Sequence, residues 1–173
     1  MKILTCSGGS LVVPDETLVL ADREDGGNLI VNPPRDVWER RELTPHELTQ
    51  WSFLVAACGS AMLDVLPQLR GGCINYWEAG NWALNDDAEP RGPKTAPDHR
   101  RVHLHLIGRS RFAKSPSMQW GEAPKFPAFR DRHAWAAAHT RLTSDECRAI
   151  AERAKSLLVG TYGFEANDVK LQG

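Results

Sequence analysis

Apolar and polar positions alternate loosely near the start of the chain and are cut by turn residues. The run SLVVPDETLVLADRED carries a Pro-Asp turn, and its pattern predicts two strands, over 10–13 and 17–22. EDGG reads as a turn, and NLIVNPP as a third strand stopped by Pro33 and Pro34. The period then changes from two to three and four. Leu48, Trp51, Leu54, Val55, Cys58, Met62 and Val65 share one helical stripe. Thr44 suits the N-cap, Pro45 the first helical position, and Glu47 completes a capping box. The pattern therefore predicts one long helix ending near Pro67. CINYWEAGNWALN follows a double glycine and reads as a strand with a turn. Residues 86–98 are rich in proline and charge and read as a loop. RRVHLHLIG alternates again and predicts a strand. KSPSMQWGEAPKFPAF holds too much proline for regular structure. A last helix starts at the box Thr143–Glu146 and runs to about Leu158. This order predicts an α+β fold, with a mostly antiparallel sheet packed on one long helix and a C-terminal helix.

Composition narrows the picture only a little. The chain has 173 residues, the size of one domain, with 42% hydrophobic and 25% charged residues. Its formal charge of −1 sets up no global field toward nucleic acid or an anionic membrane, so neither is expected as a partner. No uninterrupted apolar run approaches the ~20 residues of a membrane span. The start, MKILTCSGGSLVV, lacks a signal-peptide core. Cys6, Cys58, Cys73 and Cys147 are far apart and form no CxxC, which reads as reduced thiols in a cytoplasmic protein.

The stretch HRRVHLHLIGR, from His99 to Arg109, carries the chemistry. Residues two apart in a strand share a face, so His103 and His105 point one way while Val102, Leu104 and Leu106 point to the core. Three readings fit the pair. The simplest is two half-exposed polar residues on a sheet face. The second is zinc held by His99, His103 and His105, although no paired cysteines or HExxH accompany them. The third is catalysis, with one imidazole as nucleophile or base and its neighbour setting a tautomer or protonating a leaving group. Lys94, Arg100, Arg101, Arg109 and Arg111 cluster around the strand and would suit a phosphate.

VHLHLIGR resembles the signature strand of the histidine triad (HIT) superfamily, in which three histidines alternate with apolar residues. TLVLADREDGGNLIVNPPRDVWERRELTPHEL is similar to that family's early segment, and INYWEAGNWALN to its asparagine-containing strand. The resemblance covers about Val13 to Arg111. It implies a single HIT-like domain over 1–173, with its core at about 10–111 and a proline-rich coil and C-terminal helix over 112–173. It further implies a homodimer, and hydrolysis or transfer at the α-phosphate of a nucleotide through a nucleotidyl-histidine. A dinucleoside polyphosphate or similar nucleotide is the implied substrate class. By position, the resemblance implies His103 as the nucleophile and His105 as the third histidine, beside the phosphate or leaving group. Asp22 would meet ribose hydroxyls and Asn75 the phosphate side. No cofactor is implied as required, no metal ligand set is visible, and any Mg²⁺ would arrive with the substrate.

Two family histidines are replaced, the first of the triad by Arg101 and that of the Gly-His turn by Asn28. The family's Gly-Gln step is replaced by GPKTAPDH. The expectation is that Asn28 and Arg101 substitute as a pair, with Arg101 holding a phosphate oxygen, while Lys94 and His99 close over the substrate. The rival expectation is a catalytically silent nucleotide-binding module on the same fold. Trp77 and Trp82 are either base-stacking or core residues. Asp86, Asp87 and Glu89 read as a solvated loop or as help for a metal carried by a polyphosphate. Arg109 and Arg111 read as surface, and His46, His133 and His139 have no evident partners.

Overall fold

A computed structural model describes residues 1–172. Among these residues the strands are β1 (Lys2–Cys6), β2 (Gly9–Val12), β3 (Asn28–Asn32), β4 (Cys73–Ala79), β5 (His103–Arg109) and β6 (Lys170–Leu171). The helices are α1 (Pro45–Val65), α2 (Ala96–His99), α3 (Arg132–Ala137) and α4 (Ser144–Gly160). Capping boxes fix where both long helices begin. The Thr44 hydroxyl accepts from the Glu47 amide, and the Glu47 carboxylate accepts from the Thr44 amide. Thr143 and Glu146 repeat the arrangement at α4. The α1 stripe anticipated from its period is buried through Trp51, Leu54, Cys58 and Met62. By length and composition α1 is also apolar enough to cross a membrane, but in this fold its stripe lies in the core.

As the sequence predicts, the class is α+β. The sheet has the order β4-β5-β3-β2-β1-β6 and every neighbouring pair is antiparallel. Alternation on β5 and β3 sends Leu104, Leu106, Leu29 and Val31 into the core shared with α1 and α4. The α4 residues Cys147, Ile150, Ala151, Ala154 and Leu158 are buried in that same core. Since β6 also pairs with β1, the region 112–172 is part of the body and not an appendage to it.

The other sheet face is covered by the proline-rich segment. Met118 packs on Ile107 and Ala21, with Trp77, Ala113 and Phe126 around them. Two anchors hold this irregular layer down. The buried Asp25 carboxylate accepts from the amides of Lys114 (2.6 Å) and Ser115 (3.1 Å). Arg109 supplies the second anchor. Its guanidinium donates to the Asn75 side-chain oxygen at 2.6 Å and to the carbonyls of Gln119 and Glu122 at 2.7 and 2.8 Å.

Residues 17–22 do not form the expected strand. They hold a 3₁₀ turn, Glu16–Leu18, followed by extended chain whose Leu20 and Ala21 amides donate to the Asn28 side chain and not to a ladder. Asp22 then caps a second turn, Arg23–Asp25. β1, α2, α3 and β6 are additions to the elements read from sequence, and α2 begins at Ala96 inside the stretch 86–98 read as a loop. The four cysteines are free, and burial pushes the Cys6 and Cys147 thiols up to about 11, which keeps both protonated at neutral pH.

Candidate functional site

β5 places His103 and His105 on the face away from the helices. Opposite them across the ladders stand Ala79 and Trp77 of β4, and Ile30 of β3 pairs with His105. Beyond β4 the chain turns at Gly80, enters a short turn at Asn81–Leu84, and returns through α2. These pieces enclose a cavity of about 530 Å³, within the range of small-molecule sites. Its walls include Leu18, Leu20, Ile30, Trp77 and Trp82, with His99, Arg101, His103 and His105 as the polar side.

The His103 ring is oriented by main chain. Its Nδ1 lies 2.9 Å from the Arg101 carbonyl oxygen. A carbonyl only accepts, so Nδ1 carries the proton and Nε2 keeps its lone pair. Gly80 makes this possible. A Cβ at Gly80, whose φ is +129°, would come within 2.8 Å of that same carbonyl oxygen. Burial lowers the His103 pKa; the Arg101 carbonyl opposes this, and the Arg100 charge adds to it. The ring is therefore neutral at neutral pH.

His105 is 7% exposed and sits edge-on to His103, with ring centroids 5.0 Å apart. Its other neighbour is Trp77 at 5.4 Å, which is itself stacked on Phe126 at 4.4 Å and 5°. The His105 Nδ1 is buried without a partner. Burial, and then the neighbouring His103, push its pKa down to about 3.

A pH dependence of stability follows. Both histidines prefer the neutral form when folded, so the unfolded chain binds protons that the folded chain excludes. Their contribution is complete above the ordinary histidine value of 6.5 and is lost as pH falls, for His105 down to about 3. Each such group costs up to about 1.4 kcal/mol per pH unit in that window. The carboxylates with lowered pKa, Asp22, Glu47 and Glu146, lose their contributions only as pH falls below their ordinary values of 3.8 for the aspartate and 4.5 for the glutamates. Urea unfolding between about pH 7.5 and about pH 5 is expected to show a falling stability that flattens in His105→Asn by about 1 kcal/mol per unit. An unchanged slope would contradict the buried, neutral assignment.

Of the residues singled out from sequence, His99, Arg101, His103 and His105 meet in the cavity wall, and Asp22, Asn28, Asn75 and Lys94 do not. Asp22 is taken up by the fold. Its carboxylate accepts from the Glu24 amide at 2.8 Å and from the Thr140 amide and hydroxyl at 2.7 and 2.9 Å. Burial works against its charge, but these hydrogen bonds outweigh burial and lower its pKa. Asn28 is buried, with its side-chain oxygen 3.0 Å from the Leu20 amide. Asn75 accepts from Arg109. Lys94 donates to the carbonyls of Asn85 (2.7 Å) and Gly92 (3.0 Å), stapling its own loop.

The expected Asn28–Arg101 pair is therefore not assembled. The Arg101 guanidinium turns instead onto the carbonyls of Pro97, Asp98 and Arg100. Arg109 is 4% exposed, against the surface reading, because three acceptors draw it inward. Arg111 is exposed, its guanidinium over Trp120 at 5.7 Å. Trp77 is closed off on one side by Phe126, so Trp82, edge-on to Phe129, is the tryptophan facing the cavity more freely. Neither phenylalanine is signalled by sequence, since both sit in the stretch without periodicity. Asp86, Asp87 and Glu89 are exposed. His139 stacks on Trp135 with centroids 5.1 Å apart, while His46 and His133 are exposed. Among the described residues no three His, Cys, Asp or Glu side chains converge as a metal-binding group, and the zinc arrangement of His99, His103 and His105 is not formed.

A comparison with protein-family models and with curated proteins finds no match.

Proposed function

We propose that the chain is a nucleotidyl hydrolase or transferase of the histidine triad type, acting at the α-phosphate of a nucleotide with His103 Nε2 as nucleophile. The observation that carries this reading is the Arg101 carbonyl on His103 Nδ1, which leaves a neutral imidazole with its lone pair free at a cavity. The apolar walls at Leu18, Leu20, Ile30 and Trp82 suit a nucleobase and ribose. His105 has Nδ1 buried, so Nε2 is the ring nitrogen left to meet a phosphate oxygen. A dinucleoside polyphosphate or another nucleotide with a substituted α-phosphate is the substrate class. Mg²⁺, where used, comes with that substrate, and a HIT-like homodimer in the cytoplasm belongs to the same reading.

One observation favours a second reading, a nucleotide-binding module without turnover. Arg101 spends its donors on main-chain carbonyls, so the cavity wall offers few fixed cations to a developing phosphorane charge. A panel of dinucleoside polyphosphates, nucleotide sugars and nucleoside phosphoramidates, with and without Mg²⁺, separates the two. Release of a nucleoside monophosphate is the expected outcome. Saturable binding without product would favour the module, and neither binding nor product would contradict both.

A further inference from the structure

We propose that His99 on α2 is the general acid that protonates the leaving group, and that Arg101 is the residue positioning it. This rests on the reading of His103 as nucleophile. Five ionisable side chains line the cavity: Glu78, His99, Arg101, His103 and His105. Four are otherwise committed. His103 needs its lone pair for attack. His105 is held neutral by burial, with its pKa pushed down to about 3. Glu78 is ion-paired with Arg40 and lies 3.6 Å from Arg100. Arg101 is spent on the Pro97, Asp98 and Arg100 carbonyls. His99 remains, half-buried, and its Nδ1 is 3.1 Å from the Thr95 carbonyl oxygen. Nδ1 must therefore donate there, which leaves Nε2 as the nitrogen for a ligand.

Arg101 explains why a histidine on so short a helix holds its place. The guanidinium donates to the Pro97, Asp98 and Arg100 carbonyls at 3.2, 3.1 and 2.7 Å. These are carbonyls at the end of α2, on both sides of His99, that would otherwise lack partners. The cation just ahead of β5, where the histidine triad pattern places its first imidazole, thus anchors an imidazole supplied from the preceding helical turn.

The chemistry balances. The lone pair on His103 Nε2 forms a bond to phosphorus as the bond from phosphorus to the leaving atom breaks. That atom keeps the electron pair and takes the proton from Nε2 of the His99 imidazolium. A water molecule next attacks phosphorus, the N–P pair returns to His103, and the proton that water loses passes to solvent, from which His99 regains its own. The nucleotide and water are consumed, nucleoside monophosphate and protonated leaving group are formed, and both histidines are restored.

The role predicts a dependence on the leaving group. Nucleoside 5′-phosphoryl compounds of adenosine and guanosine are compared as the 4-nitrophenyl ester, whose phenolate leaves unaided, and as an alkylamine phosphoramidate, whose nitrogen must be protonated. His99→Gln is expected to slow phosphoramidate turnover on the order of 100-fold or more, and ester turnover by no more than about threefold. Arg101→Gln is expected to show the same selectivity with a smaller loss. Equal losses on both compounds, or none on either, would overturn the proposal. His103→Ala separates it from the reading beneath it. Abolished turnover in that variant beside an unselective His99→Gln sinks the general acid alone. Persisting turnover in His103→Ala, or none by the unsubstituted chain on either compound, sinks both.

Discussion

Replacing His103 with alanine is expected to abolish release of nucleoside monophosphate, by on the order of 10⁴-fold or more, in a protein that still folds. The size follows from the chemistry. Nucleotidyl transfer through histidine has no step left without the Nε2 lone pair, and the other ring is poorly placed to replace it. His105 packs against Trp77 with its Nδ1 buried. The fold survives because the His103 ring is only partly buried and makes one hydrogen bond, to the Arg101 carbonyl. Losing it leaves a carbonyl that water satisfies, a cost of about 1 kcal/mol. Product separation by chromatography beside circular dichroism checks both halves. Turnover within tenfold of the parent would remove His103 from the mechanism.

Arg109→Met is expected to cost about 3 kcal/mol of stability, while Arg111→Met stays within about 0.5 kcal/mol. The two arginines are two residues apart on the same stretch, yet their surroundings differ. Arg109 satisfies Asn75 and two main-chain carbonyls of the irregular layer, and removing it leaves those acceptors unpaired beneath a loosened segment. That segment leads to Phe126, which closes off Trp77 and so supports His105. Arg111 is exposed and offers one contact with Trp120. The difference should appear in urea as a midpoint lowered by about 1–2 M for Arg109→Met alone. A neutral Arg109→Met would mean that desolvating the unpaired Nε already cancels the three hydrogen bonds.

The elements with local causes are the ones legible in the sequence. Thr44–Glu47 and Thr143–Glu146 start helices because the box satisfies backbone donors on the spot. HLHLIGR alternates because one of its faces is core. Residues 17–22 also alternate, but there Asn28 takes the amides a strand would need, a partner eight residues away that no period announces. The site is divided in the same way. His103 and His105 follow from strand spacing, and His99 from its proximity in sequence. Asp22 and Asn75 are diverted by Thr140 and Arg109, residues brought near only by the fold. Phe126 reaches Trp77 from a segment whose prolines hide any pattern.

The most direct measurement is to trap the intermediate. The chain is mixed with a dinucleoside polyphosphate or phosphoramidate labelled at the α-phosphate, quenched in alkali, digested and mapped. The account predicts an acid-labile nucleotidyl group on the peptide containing His103, absent in His103→Ala. Label on another residue, or turnover that never labels the protein, would contradict it.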